Sequence, residues 1–454
     1  MKIKRLFLLF AAVVLAVSAV AQSPEAIRAS LAKYPNLAYP VASTYPSVPL
    51  GEIAAAPEGF EPFYFTLVGR HGSRYEQKGS RFNKVSATLD KAHELGILTK
   101  DGELLRERAK AIAEAQKDHD GELSDLGAEQ WRGIAHRAYD RFSKVFDKGF
   151  IEGKSSTSLR CVLSMVAFND AMKEKNPKIK VHQQARASEL WIVRPLANNP
   201  AVSKEAKELC ANYNKSGEWT KARKEWERSY DASDFLSKIT TDKTRLLEEC
   251  GGKKDERMLR YSFITLLFGE NFELGDRALL NRLFTVDDLY FMYVYQTSNW
   301  VNNSIGRGNE FVEARQSHME AMILDILGKG NAAIKGENPN CANLRFTHDS
   351  YVGPLLSAMG YDGCVPQWNE NIEIASTSFN HGLNVPMAAN LQIILYRDKA
   401  GKIFVRSLIN ERDATLPIKC ATAPFYPWED FSKHVLNNIK ELKKSEANIL
   451  KNIN

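Results

Sequence analysis

The sequence predicts an α/β protein: a mixed, mostly parallel sheet flanked by helices, interrupted by an inserted helical cap. Three observations carry this. Two β-prone runs, Phe63–Val68 and Ala342–Thr347, each end abruptly in a polar, chemistry-bearing loop. Amphipathic helical stripes follow such runs, the order expected of strand–helix units in a parallel sheet. Between about 173 and 320 the texture changes to dense Lys, Glu and Arg on helical spacing.

Taken in order, residues 22–60 are rich in Ala, Pro, Ser and Tyr and read as an irregular lead-in. Phe63-Tyr64-Phe65-Thr66-Leu67-Val68 is nearly all apolar, as a strand buried on both faces is, and Gly69-Arg70-His71-Gly72 breaks it. Ser124 has the character of an N-cap. Behind it Trp131, Ile134, Ala135, Ala138, Phe142, Val145 and Phe146 recur at steps of three and four, a helical core face. A short strand near Gly149–Glu152 leads to Ser155-Ser156-Thr157, and Leu159–Met172 reads as the next helix. Helical patterns then dominate, as in Lys204–Tyr213 and Trp219–Arg228. Thr285-Val286-Asp287-Asp288 opens another helix before Leu289–Tyr295. The sheet resumes with Ala342–Thr347, followed by His348-Asp349 and a helix over Ser350–Met359. Leu391–Tyr396 and Ile403–Ile409 form a hairpin pattern. The resulting organisation is a first core part over 22–172, the helical insertion over 173–320 and a second core part over 321–454.

The chain start carries a separate signal. Lys2, Lys4 and Arg5 precede the apolar run Leu6–Val17, and Ala19-Val20-Ala21 supplies small residues before Gln22. This predicts a secretory signal peptide over 1–21 and a periplasmic or extracellular protein. The run is short for a membrane span, and later apolar runs such as Phe263–Phe268 are shorter still, so no transmembrane span is expected in the mature chain. Export makes the six cysteines candidates for about one to three structural disulfides, or for buried free thiols; the sequence does not choose the pairing. No Cys-x-x-Cys occurs, which argues against zinc-ribbon and thioredoxin-like chemistry.

Composition excludes several classes. With 44% apolar and 26% charged residues the chain has the balance of a packed globular protein. Its formal charge is +6, and +3 once residues 1–21 are removed, too little over this length to imply nucleic acid. The total charge names no partner, but its placement is informative.

Two constellations sit where strands end: Arg70-His71-Gly72-Ser73-Arg74 and Thr347-His348-Asp349-Ser350. Ligands of open α/β sheets bind beyond the carboxyl ends of strands, so these distant loops are expected to meet in one crevice. Two arginines flanking a histidine suit a tetrahedral dianion, because each guanidinium offers several donors in a planar fork. Gly72 lets backbone approach a ligand closely. A histidine among cations is biased towards its neutral, nucleophilic form. Asp349 is placed to supply the proton a leaving alkoxide needs.

The run Phe65–Arg74 is similar to the RHGxR signature of the histidine phosphatase superfamily. Further matches follow in order: Leu123-Ser124-Asp125-Leu126-Gly127 with Gln130, Ser155-Ser156-Thr157 with Arg160, and His348-Asp349. The chain resembles the histidine acid phosphatase and phytase branch, and Leu408–Glu411 and Tyr426–Trp428 resemble bacterial relatives of multiple inositol polyphosphate phosphatase. The resemblance implies a phosphoglycerate mutase-like fold and a phosphohistidine formed on His71. It also implies a phosphate site of Arg70, Arg74, Arg160 and His348, with Asp349 as proton donor and no metal or cofactor. A phosphorylated small molecule is the implied partner, phytate-like polyphosphates among the candidates. Lys78, Arg81 and Lys84 are candidates for a basic substrate rim, or for a solvated helix face.

Two departures stand out. Tyr75-Glu76 occupies the place where the family often has Pro two residues past the second Arg. His348-Asp349-Ser350 replaces the His-Ala-Glu usual in the inositol polyphosphate group, and so resembles the acid phosphatase type. Beside the phosphomonoesterase, two readings stay open: a mutase or phosphotransferase using the same histidine, and a non-catalytic binder of phosphorylated ligands.

Overall fold

The strands, in chain order, are β1 (Glu61–Arg70), β2 (Phe150–Ser155), β3 (Lys180–Gln184), β4 (Ala342–Thr347), β5 (Asn390–Arg397), β6 (Ile403–Ile409), β7 (Arg412–Ala414) and β8 (Phe425–Pro427). The computed structural model describes residues 22–147, 149–199, 202–250 and 256–451. The expected signal peptide, residues 1–21, lies outside the described residues.

The strands form one mixed sheet in the order β3-β2-β4-β1-β5-β6-β7, with β8 also pairing to β6. The β3-β2-β4-β1 half is parallel, and β5 to β8 pair antiparallel. β1 is therefore central, with a parallel neighbour on one side and an antiparallel one on the other. Its alternate residues feed different cores. Phe65 and Leu67 pack with Trp131, Ile134, Phe146, Phe168 and Phe346 on one face. Tyr64 and Val68 pack with Val352, Leu355 and Leu356 of the helix Asp349–Met359, and with Phe431 and Val435 of the helix Trp428–Lys451, on the other. That period-two division is why β1 is apolar almost throughout.

A third core draws on no strand among the described residues and is built mainly from helices. Phe82, Val85 and Leu89 of the helix Ser80–Glu94 meet Leu105, Ala109 and Ile112 of Lys100–Gln116, and both meet Phe263, Leu266 and Leu267 of Glu256–Gly269.

Three features differ from the sequence expectation. The lead-in contains a helix, Pro24–Lys33, capped by Ser23 with Pro24 in its first turn and Ile27 and Leu31 buried. β3 lies inside the block 173–320 yet pairs with β2, so the sheet extends to Gln184. As a largely exposed edge strand, Lys-Val-His-Gln-Gln carries no apolar signal. No disulfide joins the described cysteines. They sit in separate surroundings instead: Cys161 Sγ donates to the Thr347 carbonyl at 3.2 Å, and Cys341 Sγ to that of Phe150 at 3.0 Å. No described helix is long and apolar enough to cross a membrane.

Candidate functional site

Three parallel strands deliver the site. Register pairs Arg70 of β1 with Thr347 of β4, and Ser155 of β2 with Phe346 of β4, so the three strands end within one residue of each other. The next residues are His71, His348 and Ser156. Backbone hydrogen bonds continue past the strand ends, from His71 N–H to the Thr347 carbonyl (3.0 Å) and from Ser156 N–H to that of Phe346 (2.9 Å). The imidazoles of His71 and His348 lie edge to face with centroids 5.6 Å apart.

Both rings are tautomerically constrained. His71 Nδ1 is 2.9 Å from the Gly72 carbonyl, which only accepts, so Nδ1 carries the proton and Nε2 carries the lone pair. His348 Nε2 lies 3.2 Å from Ser156 Oγ and 3.3 Å from Ser158 Oγ, and its Nδ1 is 3.4 Å from Arg160 Nη2. Nη2 is a donor, so it donates to Nδ1, and His348 holds its lone pair on that atom.

Three arginines surround this pair. Arg70 Nη1 donates to the Val385 carbonyl (2.8 Å) and Nη2 to that of Val41 (3.2 Å), while Nη2 also lies 3.1 Å from Asp349 Oδ2. Arg74 Nη1 donates to the Tyr75 carbonyl at 2.7 Å. Arg160, in the first turn of the helix Leu159–Lys175, reaches the Gly121 carbonyl through Nη1 at 3.4 Å. In all three the Nε–H is buried and has no hydrogen-bond partner. A buried, unpaired cationic donor is unfavourable by itself, and an anion is the kind of partner that would satisfy it.

The electrostatics follow from burial and these charges. Burial, then Arg70, Arg74, Arg160 and His348, push His71 well below its usual range, so its ring is neutral. Burial and then Arg160 bring His348 down to about 4. Burial lowers Arg70 to about 10 and also lowers Arg160. For Asp349 burial acts upward, but Arg70, His381, His348 and Arg74 outweigh it and hold the carboxyl below its usual value.

The loop carrying His71 is held by the helix Asp125–Phe146. Its cap Ser124 donates its N–H to the Ser73 carbonyl (3.0 Å). Gln130 accepts from Ser73 N–H (2.8 Å) and donates to Ser73 Oγ (2.9 Å), and Trp131 Nε1 donates to the Arg70 carbonyl (3.1 Å). Loop and helix touch backbone to backbone: a Cβ on Gly72 would lie 2.2 Å from the Gly127 carbonyl oxygen, and one on Gly127 would lie 2.1 Å from that of Ser73. The Leu123–Gly127 motif with Gln130 is thus the loop's support. From the other side Ala388 N–H donates to the His71 carbonyl (2.9 Å).

Arg70, His71, Arg74, Arg160, His348 and Asp349 therefore meet in one place. Of the expected rim, Lys78 and Lys84 are exposed and make no ion pair among the described residues, whereas Arg81 Nη1 lies 3.6 Å from Glu76 Oε2. Four participants were not singled out from the sequence. Ser164 accepts from Gly72 N–H at 3.0 Å, Cys161 lies 3.7 Å from His348 Nε2, and the Val41 and Val385 carbonyls hold Arg70. Ser164 sits one helical turn beyond Arg160, a spacing that could have identified it. The carbonyls belong to irregular segments and carry no side-chain signal.

At the strand ends of a covered α/β sheet, three guanidinium groups thus gather around a neutral imidazole. The chain belongs to the histidine phosphatase superfamily, branch 2, whose family model matches residues 64–410. No curated protein matches it in sequence. Among solved structures the fold is similar to that of multiple inositol polyphosphate phosphatase from Bifidobacterium longum in complex with inositol hexasulfate, with a TM-score of 0.66 and 18% identity over 84% of this chain and 93% of that one. It is also similar to the phytase from D. castellii, with a TM-score of 0.63 and 16% identity over 91% of this chain and 85% of that one.

Proposed function

We propose that the protein is an exported phosphomonoester hydrolase that works through a phosphohistidine on His71, without a metal, and that its substrates include inositol polyphosphates. The observation that carries the reading is the set of three buried Nε–H donors without partners around an imidazole whose Nε2 is free to attack.

In this mechanism the Arg70, Arg74 and Arg160 guanidinium groups and His348 bind the phosphoryl oxygens and offset the charge that builds on them. Nε2 of His71 forms a bond to phosphorus while the bond to the leaving oxygen breaks, and Asp349 gives that oxygen its proton. In the empty site Asp349 is ionised. A substrate dianion beside it raises its proton affinity, so substrate binding itself prepares the acid. Water then attacks the phosphohistidine, Asp349 takes the proton, and phosphate leaves with His71 regenerated. The inositol polyphosphate reading draws on the two fold relatives, one of them bound to inositol hexasulfate. The acid-phosphatase-like His348-Asp349 pair favours a second reading, a broader phosphatase of sugar phosphates or nucleotides. Export draws on the Lys2–Ala21 sequence pattern.

The expected result is phosphate release from p-nitrophenyl phosphate at an undiminished rate in EDTA, abolished in His71→Ala. Full activity of that variant, or inhibition by EDTA, would refute the mechanism. A panel of phytate, sugar phosphates and nucleotides ranks the two substrate readings.

A further inference from the structure

Glu76 stands where a phosphate-binding pocket has least use for a carboxylate. It is 5% exposed, follows the arginine-rich loop directly, and its Oε1 lies 3.9 Å from Arg74 Nη1. Its other oxygen, Oε2, lies 3.6 Å from Arg81 Nη1 at the start of the helix Ser80–Glu94. The residue is fixed on every side. Oε1 accepts from Gln77 N–H (2.7 Å), Glu76 N–H donates to Gln116 Oε1 (2.7 Å), and the Glu76 carbonyl accepts from Gln116 Nε2 (2.9 Å) and Gly121 N–H (3.0 Å). The Arg74 guanidinium also lies over the Phe268 ring, 5.7 Å from its centroid, an apolar neighbour that strengthens the charge interaction.

We propose that Glu76 is a positioning residue whose carboxylate holds Arg74 and Arg81 as a fixed pair, making Arg81 a clamp for a second phosphate beside the one at His71. This rests on the phosphatase reading above and names how its polyphosphate preference arises. Arg74 Nη1 donates to the Tyr75 carbonyl and has the Glu76 carboxylate as its ionic neighbour, while its Nε–H stays without a protein partner for the reacting phosphate. The Arg81 side chain is 44% exposed and has Glu76 as an ionic partner at 3.6 Å, so it is open to solvent on the side away from Glu76. A clamp already ordered loses little side-chain entropy when a second phosphate arrives. Lys78 and Lys84, with no such tether, keep that entropic penalty.

The idea makes a prediction opposite to that of bare electrostatics. If Glu76 acted only as a negative charge near a polyanion, deleting the charge would improve polyphosphate turnover. As the holder of Arg81, its loss should worsen it. Glu76→Gln keeps an acceptor for Gln77 N–H and removes the charge. The readout is the ratio of kcat/KM for phytate to kcat/KM for p-nitrophenyl phosphate, which is immune to partial misfolding because both values come from one preparation. The ratio is expected to fall about fivefold to tenfold in Glu76→Gln and in Arg81→Ala, with no further fall in the double variant. For variants too slow to assay, the affinity for inositol hexasulfate relative to inorganic sulfate, by calorimetry, should fall in step. An unchanged or raised ratio in Glu76→Gln, or additive losses in the double variant, would overturn Glu76's role. Failure of the unaltered protein to hydrolyse p-nitrophenyl phosphate would instead overturn the phosphatase reading itself.

Discussion

At the scale of the residue, the site sets a histidine kept neutral beside a carboxylate kept ionised. Burial is the largest cause of the first state, and Arg70 and Arg74 act on both, repelling a proton from His71 and withdrawing one from Asp349. The role assigned to Asp349 has a kinetic signature. An inositol alkoxide needs a proton to leave, while p-nitrophenolate leaves readily without one. Asp349→Asn should therefore lower kcat on inositol phosphates about a hundredfold and lower it much less on p-nitrophenyl phosphate. Equal losses on both would remove Asp349 from the proton-donor role. The placement of His71, Arg70 and Arg74 at one strand end was legible in the sequence because an apolar run broken by a polar loop marks such an end. Glu76 was visible only as a departure. Its partner Arg81 lies five residues on, at a spacing no motif encodes, and only the fold brings the two together.

At the scale of the element, the helix Asp125–Phe146 does two jobs with two faces. Ile134, Ala138 and Val145 pack beneath the sheet, while Ser124, Gly127, Gln130 and Trp131 hold the backbone around His71. The first face was plain from its three-and-four spacing. The second was visible only as a motif, because its partners are backbone atoms. Gly127→Ala should force the helix away from the Ser73 carbonyl, lower stability by about 1–3 kcal/mol, and reduce kcat by misplacing His71. Urea unfolding and steady-state rates would measure the two effects, and an undisturbed kcat would mean that the loop does not need this contact. The strands that escaped the sequence reading failed for a common reason. β3 is an exposed edge, and β7 and β8 are three residues each, so none has enough buried positions to leave a pattern.

At the scale of the whole molecule, buried neutral histidines tie stability to pH. His348 and His381 are lowered from 6.5 to about 4 and about 3, each chiefly by burial. Their unfolded forms take up a proton below about pH 6.5 while the folded forms do not. Stability contributed by each is thus complete above that value and is lost as pH falls towards the folded pKa, by about 1.4 kcal/mol per pH unit per group. The melting temperature should drop between pH 6.5 and 4. His381, wholly buried against Trp300 and Phe379, can be tested alone: His381→Phe should flatten the drop, and an unaltered pH slope would show that His381 does not contribute. The sheet order has a consequence in time as well. β1 receives its parallel neighbour from β4 and its antiparallel one from β5, both from the far end of the chain. A ribosome that has released residues 61–175 has made His71 and all three arginines, yet nothing to hold them together. The reaction centre comes into being only when Ala342–Thr347 slots between β2 and β1. Any shortened chain that stops before it would carry most of the signature and have no means of using it.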